Sequence, residues 1–328
     1  MLDVWFGALR HGYRFARMLQ ADVLKEKGYH LAAQALRLEP VVACGDRGLA
    51  VTPEGRVVTW GRPPGRSQNR WYVRKPGRLL RDVRAVAAGE AHYLALTGDG
   101  RVLAWGDNLF GRCSVPADLP PVEAVSASYY HSLVLTADGR VVAWGYDEYG
   151  QLDVPPDLPP VVAVAATNRH SLALTADGDV VAWGYDRSLE APSGLKAVAV
   201  AASMSHVLAV TPEGRVVAWG RSACGACDVP PDLPPVVAVA ACTGCSVALT
   251  VTGDVVVWGG AGFLSEVPLR DVPPGLKAVA VSFGLLNVFA VTPEGRVVAW
   301  GNSSEPLYAL PSGLTVRVTP SGTPAGNE

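Results

Sequence analysis

Seven Trp-Gly pairs divide most of this chain into units of nearly constant length. They fall at Trp60, Trp105, Trp144, Trp183, Trp219, Trp258 and Trp300, at spacings of 45, 39, 39, 36, 39 and 42 residues, and use seven of the nine tryptophans. Each pair closes a Val-rich run. The stretch Ser126–Gly145 (SASYYHSLVLTADGRVVAWG) returns almost unchanged at 166–184. Self-similarity at such a period means a repeat architecture, because one unit cannot bury its own apolar faces and must stack on its neighbours.

Aligned on its end, each unit reads VVAVAA, a short loop, SLALT, a turn, RVVAWG and a longer return. The turn is ThrAlaAspGly at 136–139 and 175–178, and ThrProGluGly at 52–55, 211–214 and 292–295. Asp-Gly and Glu-Gly between β-branched runs predict hairpins, since Gly supplies the positive φ that the turn needs. Three antiparallel strands are therefore expected per unit. A fourth is expected in the return, as at Gln151–Val154, before Pro-Pro ends it. Seven such units predict an all-β fold, a seven-bladed β-propeller with a short N-terminal helical segment. In each Trp-Gly pair, Trp is expected to fill the wedge between blades and Gly to let the backbone leave the strand at close quarters.

The flanks do not follow the repeat. Residues 1–38 read as an N-terminal helical segment: Leu2, Trp5, Phe6, Leu9 and Tyr13 share one face, while Arg10, Arg14 and Arg17 line another. It is read as a cap on the propeller's flank, with docking to another protein and membrane-surface binding as alternatives. Residues 39–320 form the propeller and 321–328 a flexible tail. Because 311–319 parallels 192–200, the lead-in to blade 5, Thr315–Thr319 is expected to pair with blade 1 and close the ring.

Hydrophobic residues make up 49% and charged residues 18%, which suits strands buried on both faces. No apolar run approaches the ~20 residues of a membrane helix. Arg10, His11, Arg14 and Arg17 interrupt what would be the apolar region of a signal peptide. A cytoplasmic location is the expectation, and Arg outnumbering Lys by 23 to 5 fits a GC-rich bacterial genome. The net charge of −2 hides an asymmetry: residues 1–84 carry 16 basic and 7 acidic groups, and residues 85–328 carry 12 and 23. Two faces with different partners, or with each other as partners, follow from that split.

The repeats, with HSLVLTADGRVVAWG and GQLDVP as their clearest copies, resemble the regulator of chromosome condensation repeat family over about residues 40–319. The short units ending in a Val-Pro step look most like the bacterial β-lactamase-inhibitory propellers of this group. That resemblance implies a binding protein whose loops at one end of the propeller carry aromatic and acidic contacts.

Four groups of residues stand out as candidate sites. The strand 1–2 loops and the segments after Trp-Gly must share one end of the propeller. In blades 3 and 4 they bring Tyr129, Tyr130, Tyr146, Asp147, Glu148, Tyr185 and Asp186 there as expected partner-binding residues. Asp107 and Phe110 of blade 2 reach the same end, but Phe110 shares a register with Tyr149 and Cys224 and is expected to be buried. The insertion at 61–84 holds eight basic residues and one acid. Its Arg66, Arg70, Trp71, Tyr72, Arg74, Lys75 and Arg78 suit an anionic partner, either nucleic acid or an acidic protein surface, or else packing on the chain itself. Cys224, Cys227, Cys242 and Cys245 form two C-x-x-C pairs with 14 residues between, which matches a structural zinc site. Free thiols and disulfides are the alternatives. No other cofactor is expected. Finally, Arg47, His92, His131, His170, His206, Cys245 and Asn287 fill one repeat column, where a structural hydrogen bond at each strand start explains the histidines better than catalysis.

These readings point to a non-enzymatic interaction scaffold that binds a protein partner through the loop face, within a larger assembly. The alternatives are nucleotide exchange on a small GTPase and nucleic-acid binding through 62–84.

Overall fold

The computed structural model describes residues 42–44, 47–61, 72–73, 75–185, 188–222, 224–242, 244–260, 268–284, 287–301, 310–316 and 318. The helical segment expected at 1–38 and the tail at 321–328 lie outside them. Among the described residues the repeats fold into seven antiparallel sheets, one per unit. Blade 1 is Val42–Cys44, Arg47–Val51 and Val57–Gly61; blade 2 is Val83–Ala88, His92–Thr97 and Val102–Asp107. Blade 3 is Val122–Ala127, His131–Thr136 and Val141–Gly145; blade 4 is Val161–Ala166, His170–Thr175 and Val180–Gly184. Blade 5 is Ala199–Ala202, His206–Val210 and Val216–Gly220; blade 6 is Val236–Cys242, Cys245–Thr250 and Val255–Gly259. Blade 7 is Ala280–Phe283, Asn287–Val291 and Val297–Gly301.

The middle strand of each blade is the core. His131–Thr136 and its counterparts in blades 2, 4 and 6 are buried at every position. Side chains alternate between the two faces of a strand, so each middle strand serves two interfaces. Leu133 and Leu135 pack with Val161, Ala173 and Trp183 of blade 4, while Val134 packs with Leu94 and Leu96 of blade 2. The Leu/Ala/Val alternation of SLALT is thus the wedge pattern of a ring.

Glycine is required where the expectation put it. Gly139 turns the blade 3 hairpin at φ 82°. Gly145, at φ 123°, lets two backbones pass so closely that a Cβ there would lie 2.7 Å from Tyr130 O and 2.9 Å from His131 Cα.

The fourth strand is a correction. Among the described residues six of the seven sheets have three strands, and blade 2 has a fourth, Tyr72–Val73, which pairs with Gly106–Asp107. In blades 2 and 3 the return is a run of tight turns. In blade 3 it turns at Gly150 (φ 69°), the Asp147 carboxylate accepts the Leu152 N–H at 2.9 Å, and Val154 N–H donates to Leu152 O at 2.8 Å. A short acceptor side chain just after Trp-Gly captures backbone N–H groups that a strand would need. Asn108 and Ser222 do the same for Cys113 and Cys227.

Ring closure also differs from expectation. Val316 N–H donates to Gly295 O at 2.8 Å, and Thr315 bridges Arg296, so the described hydrogen bonds of this segment run to the blade 7 hairpin. The Val316 side chain then packs with Leu49, Val51 and Trp60 of blade 1 and Phe289 of blade 7. The segment closes the seam by packing there as the first residue of the next blade does elsewhere: Val161 N–H likewise donates to Gly139 O.

The histidine column builds a polar relay at the blade seams. His131 Nε2 lies 2.8 Å from Ser171 Oγ, Ser171 Oγ–H donates to Gln151 O at 2.8 Å, and Trp183 Nε1–H donates to the same carbonyl at 3.0 Å. Because the Ser171 proton is committed to Gln151 O, the Ser171 oxygen accepts and His131 carries its proton on Nε2. His92–Ser132 with Arg112 O and Trp144, and His206–Ser246 with Ala226 O and Trp258, repeat the arrangement. His92, His131 and His206 are therefore structural, as the hydrogen bond expected at the strand start requires. Burial, the largest cause in each case, lowers the pKa of His92 to about 3 and of His131 and His206 to about 4.

A sign follows for stability. These imidazoles stay neutral in the fold while unfolded ones take up protons below about pH 6.5. Stability is complete above that value and falls as the pH drops toward about 4, by about 1.4 kcal/mol per unit for each histidine. The thermal midpoint, followed by near-ultraviolet circular dichroism, is expected to fall over that window. His206→Asn, the residue type that blade 7 uses in this column, should flatten the decline. A midpoint that does not move with pH would contradict the account.

Candidate functional site

The backbone brings the two loop sets together at one end, as the sequence implied. Tyr146 N–H donates to Tyr130 O at 3.1 Å and Tyr185 N–H to Arg169 O at 3.1 Å; Asp107 to Ala91 and Arg221 to Ser205 are the equivalents in blades 2 and 5. In blades 2 to 5 the segment after Trp-Gly is thus anchored to the strand 1–2 loop of its own blade, and side chains on both share one surface.

On blades 2 to 4 that surface is a continuous aromatic cluster. Ring centroids are 4.6 Å apart for Phe110–Tyr146, 5.1 Å for Tyr130–Tyr146, 4.5 Å for Tyr129–Tyr130, 5.9 Å for Tyr146–Tyr149 and 5.3 Å for Tyr149–Tyr185. Tilted and edge-on contacts at these separations are the favoured aromatic geometries. Two arginines are wedged into the cluster. The Arg169 guanidinium sits 4.9 Å from the Tyr149 ring and 5.0 Å from the Tyr185 ring. Arg112 is buried, donates to Tyr129 O, lies 3.6 Å from the Asp107 carboxylate and faces the Tyr129 ring at 5.6 Å. Rigid, preorganised aromatic surface loses little side-chain entropy on binding.

The expected partner-binding residues fare unequally. Tyr129, Tyr130 and Tyr146 are half-buried against one another, whereas Asp147 and Glu148 are exposed and Tyr185 is 50% exposed. Asp186 lies outside the described residues. Phe110 is a correction: expected to be buried, it is 45% exposed and holds a left-handed backbone, φ 69° and ψ 11°. Such a conformation is unusual for a bulky residue. It results from the tight Asn108–Gly111 turn, whose ends join through Gly111 N–H and Asn108 O. The sequence reading also passed over Arg112 and Arg169. Their signal is positional, since Arg169 stands where blade 3 has Tyr130 and Arg112 where it has Gln151.

Beside the cluster, a pocket of about 420 Å³ opens between blades 4 and 5, lined by Tyr130, Arg169, His170, Tyr185, Met204 and Arg221 among others. A smaller depression of about 170 Å³ lies where the strand 1–2 loops of blades 2 to 7 converge.

The basic insertion is partly built into the ring. Tyr72 belongs to the outer strand of blade 2, Lys75 Nζ donates to Val57 O at 3.1 Å, and Arg78 lies in the short 3-10 helix Gly77–Leu79. Arg66, Arg70, Trp71 and Arg74 lie outside the described residues.

The four cysteines are described, and among the described residues no three His, Cys, Asp or Glu side chains are gathered to hold a metal ion. Cys224 and Cys227 belong to the return after blade 5, and Cys242 and Cys245 face each other across the blade 6 turn. The Cys242 S–H, aided by the Arg270 guanidinium, holds the Cys245 thiol below its ordinary range, and donating that hydrogen bond pushes Cys242 up.

Comparison with known proteins places this architecture. The regulator of chromosome condensation (RCC1) repeat matches residues 83–112, 122–151 and 161–188, which are blades 2 to 4 and carry the aromatic cluster. The guanine nucleotide exchange factor SRM1 of Saccharomyces cerevisiae is 36% identical over 83 residues, covering 23% of this chain and 17% of that protein. The chain thus spans about a sixth of the length of this curated relative. Prp20p of Saccharomyces cerevisiae, a protein described with its binding to Gsp1p and histones, superposes with a TM-score of 0.62 at 22% identity, covering 82% of this chain and 84% of that one. The CRINKLY WD40 ectodomain of the Arabidopsis thaliana receptor kinase ACR4 superposes with a TM-score of 0.61 at 20% identity, covering 82% and 98%. At these identities the structural matches establish the fold. Blades 2 to 4 thus carry the regulator of chromosome condensation repeat, and the seven-sheet ring agrees with the fold of the propellers built from it.

Proposed function

We propose that this protein is a non-enzymatic interaction module that binds a protein partner through the loop face of blades 2 to 4. The observation that carries the reading is the aromatic cluster from Phe110 to Tyr185. It spans three blades, is held from behind by the buried Arg112, and presents Phe110, Arg169, Tyr185, Asp147 and Glu148 outward. Clustered Tyr and Arg, stacked and partly desolvated, are the residue types that dominate protein interfaces. Blades 5 to 7 put Arg221, Gly260 and Asn302 at the position of Tyr146 and Tyr185, so the aromatic face belongs to one sector of the ring.

The test is capture of a native partner by the full chain from the source organism. Replacing Tyr129, Tyr146 and Tyr185 by alanine together should weaken capture at least tenfold and leave the unfolding transition of the ring cooperative. Capture that persists undiminished in a folded triple variant would overturn the assignment of the face.

A second reading, nucleotide exchange on a small GTPase, is supported by the similarity of one segment to an exchange factor. It is tested by the release rate of labelled GDP from small GTPases of the source organism. Acceleration by the wild-type chain that the triple variant loses makes the partner a GTPase. Capture without acceleration leaves the interaction module alone.

A further inference from the structure

Blade 6 departs from its neighbours at the two positions that flank its strand 1–2 turn. In blade 3 these are Ser128 and His131, with Oγ and Nδ1 3.0 Å apart, and in blade 5 Ser203 and His206, 2.9 Å apart. The turn therefore aims its two flanking side chains at each other. In blade 6 both positions are cysteine. Cys242 and Cys245 are direct Cα partners separated by two residues in the sequence, and both thiols are free. Paired positions in antiparallel strands have Cα atoms about 4.5–5.5 Å apart, inside the range that a disulfide spans.

Access is unequal. Cys242 is half-buried and lines the axial depression where the strand 1–2 loops of six blades meet, whereas Cys245 is 1% exposed behind it. One thiol reachable from solvent, with a second in contact behind it, is the arrangement that thiol–disulfide exchange requires.

We propose that Cys242 and Cys245 form a thiol–disulfide exchange site on the propeller axis, whose substrates are small soluble disulfides. Cys242 gives up its proton along the hydrogen bond to the Cys245 sulfur and, as thiolate, attacks one sulfur of the incoming disulfide. One bond forms between Cys242 Sγ and that sulfur, the disulfide bond breaks, and one thiolate leaves. Cys245 then attacks Cys242 Sγ, the intramolecular S–S bond forms, and the second thiolate leaves. The pair loses two electrons, the small disulfide gains them, and the two protein thiol protons end on the two released thiols. Excess small thiol runs the sequence backwards. The ring formed encloses only Thr243 and Gly244, so the exchange changes the chemistry of the depression without reshaping the blade.

Full-length protein is equilibrated with mixtures of reduced and oxidised glutathione, denatured, alkylated, cleaved before aspartate and mapped by mass spectrometry. Cleavage before Asp232 and Asp254 isolates a peptide that holds Cys242 and Cys245 but not Cys224 or Cys227. In oxidising mixtures this peptide is expected to escape alkylation and to weigh two hydrogens less, with no lasting glutathione adduct. In reducing mixtures it carries two alkyl groups. In Cys245→Ser the glutathione adduct should persist on Cys242, because the resolving thiol is gone. Two alkylated cysteines at every ratio in the wild-type protein would overturn the proposal. So would zinc that is retained by these thiols and released when they are modified. The wild-type peptide decides the matter even if the variant fails to fold.

Discussion

A single backbone carbonyl ties neighbouring blades together at three seams of the ring. In the best-formed seams the return segment of one blade offers a single backbone oxygen, at Arg112, Gln151 or Ala226, and the next blade answers with an indole N–H and a serine O–H. A histidine of the first blade stands behind the serine. Trp, Ser and His therefore belong to one hydrogen-bonded unit shared by two blades, although they lie far apart in each repeat. A buried carbonyl with two donors is fully satisfied, whereas one deprived of both is costly. That asymmetry makes the seam a strong constraint on the sequence and leaves the loops around it comparatively unconstrained.

Much of the fold was legible because the repeat states each requirement several times. The hairpin glycines, the close approach at Trp-Gly and the alternation of the middle strands each follow from a local rule applied to a recurrent pattern. What escaped was set by single residues. Nothing in Gln151–Val154 opposes a strand by propensity; the Asp147 carboxylate and Gly150 turn the chain there instead. Phe110 reads as one more apolar filler in its register, yet the tight turn around it rotates the ring outward.

The candidate face shows the same division. Sequence placed Tyr129, Tyr130, Tyr146 and Tyr185 at one end of the ring, because strand direction alone decides that. It did not show that they stack, since stacking depends on how far adjacent blades are rotated. Nor did it show the arginines, whose role exists only once rings from two blades flank them, as Tyr149 and Tyr185 flank Arg169.

The shortest repeat has a further significance. Between Trp183 and Trp219 the period contracts to 36 residues, the shortest in the chain, and at that same seam Val207 stands where blades 3, 4 and 6 have the relay serine, as Val288 does in blade 7. The pocket of about 420 Å³ lies on that side of the ring, between blades 4 and 5. A ring of near-identical wedges offers a visitor seven equivalent registers, and a shape that repeats cannot say which is meant. A contracted return beside an altered seam removes that ambiguity. It marks one angular position, so the protein has a front as well as a face.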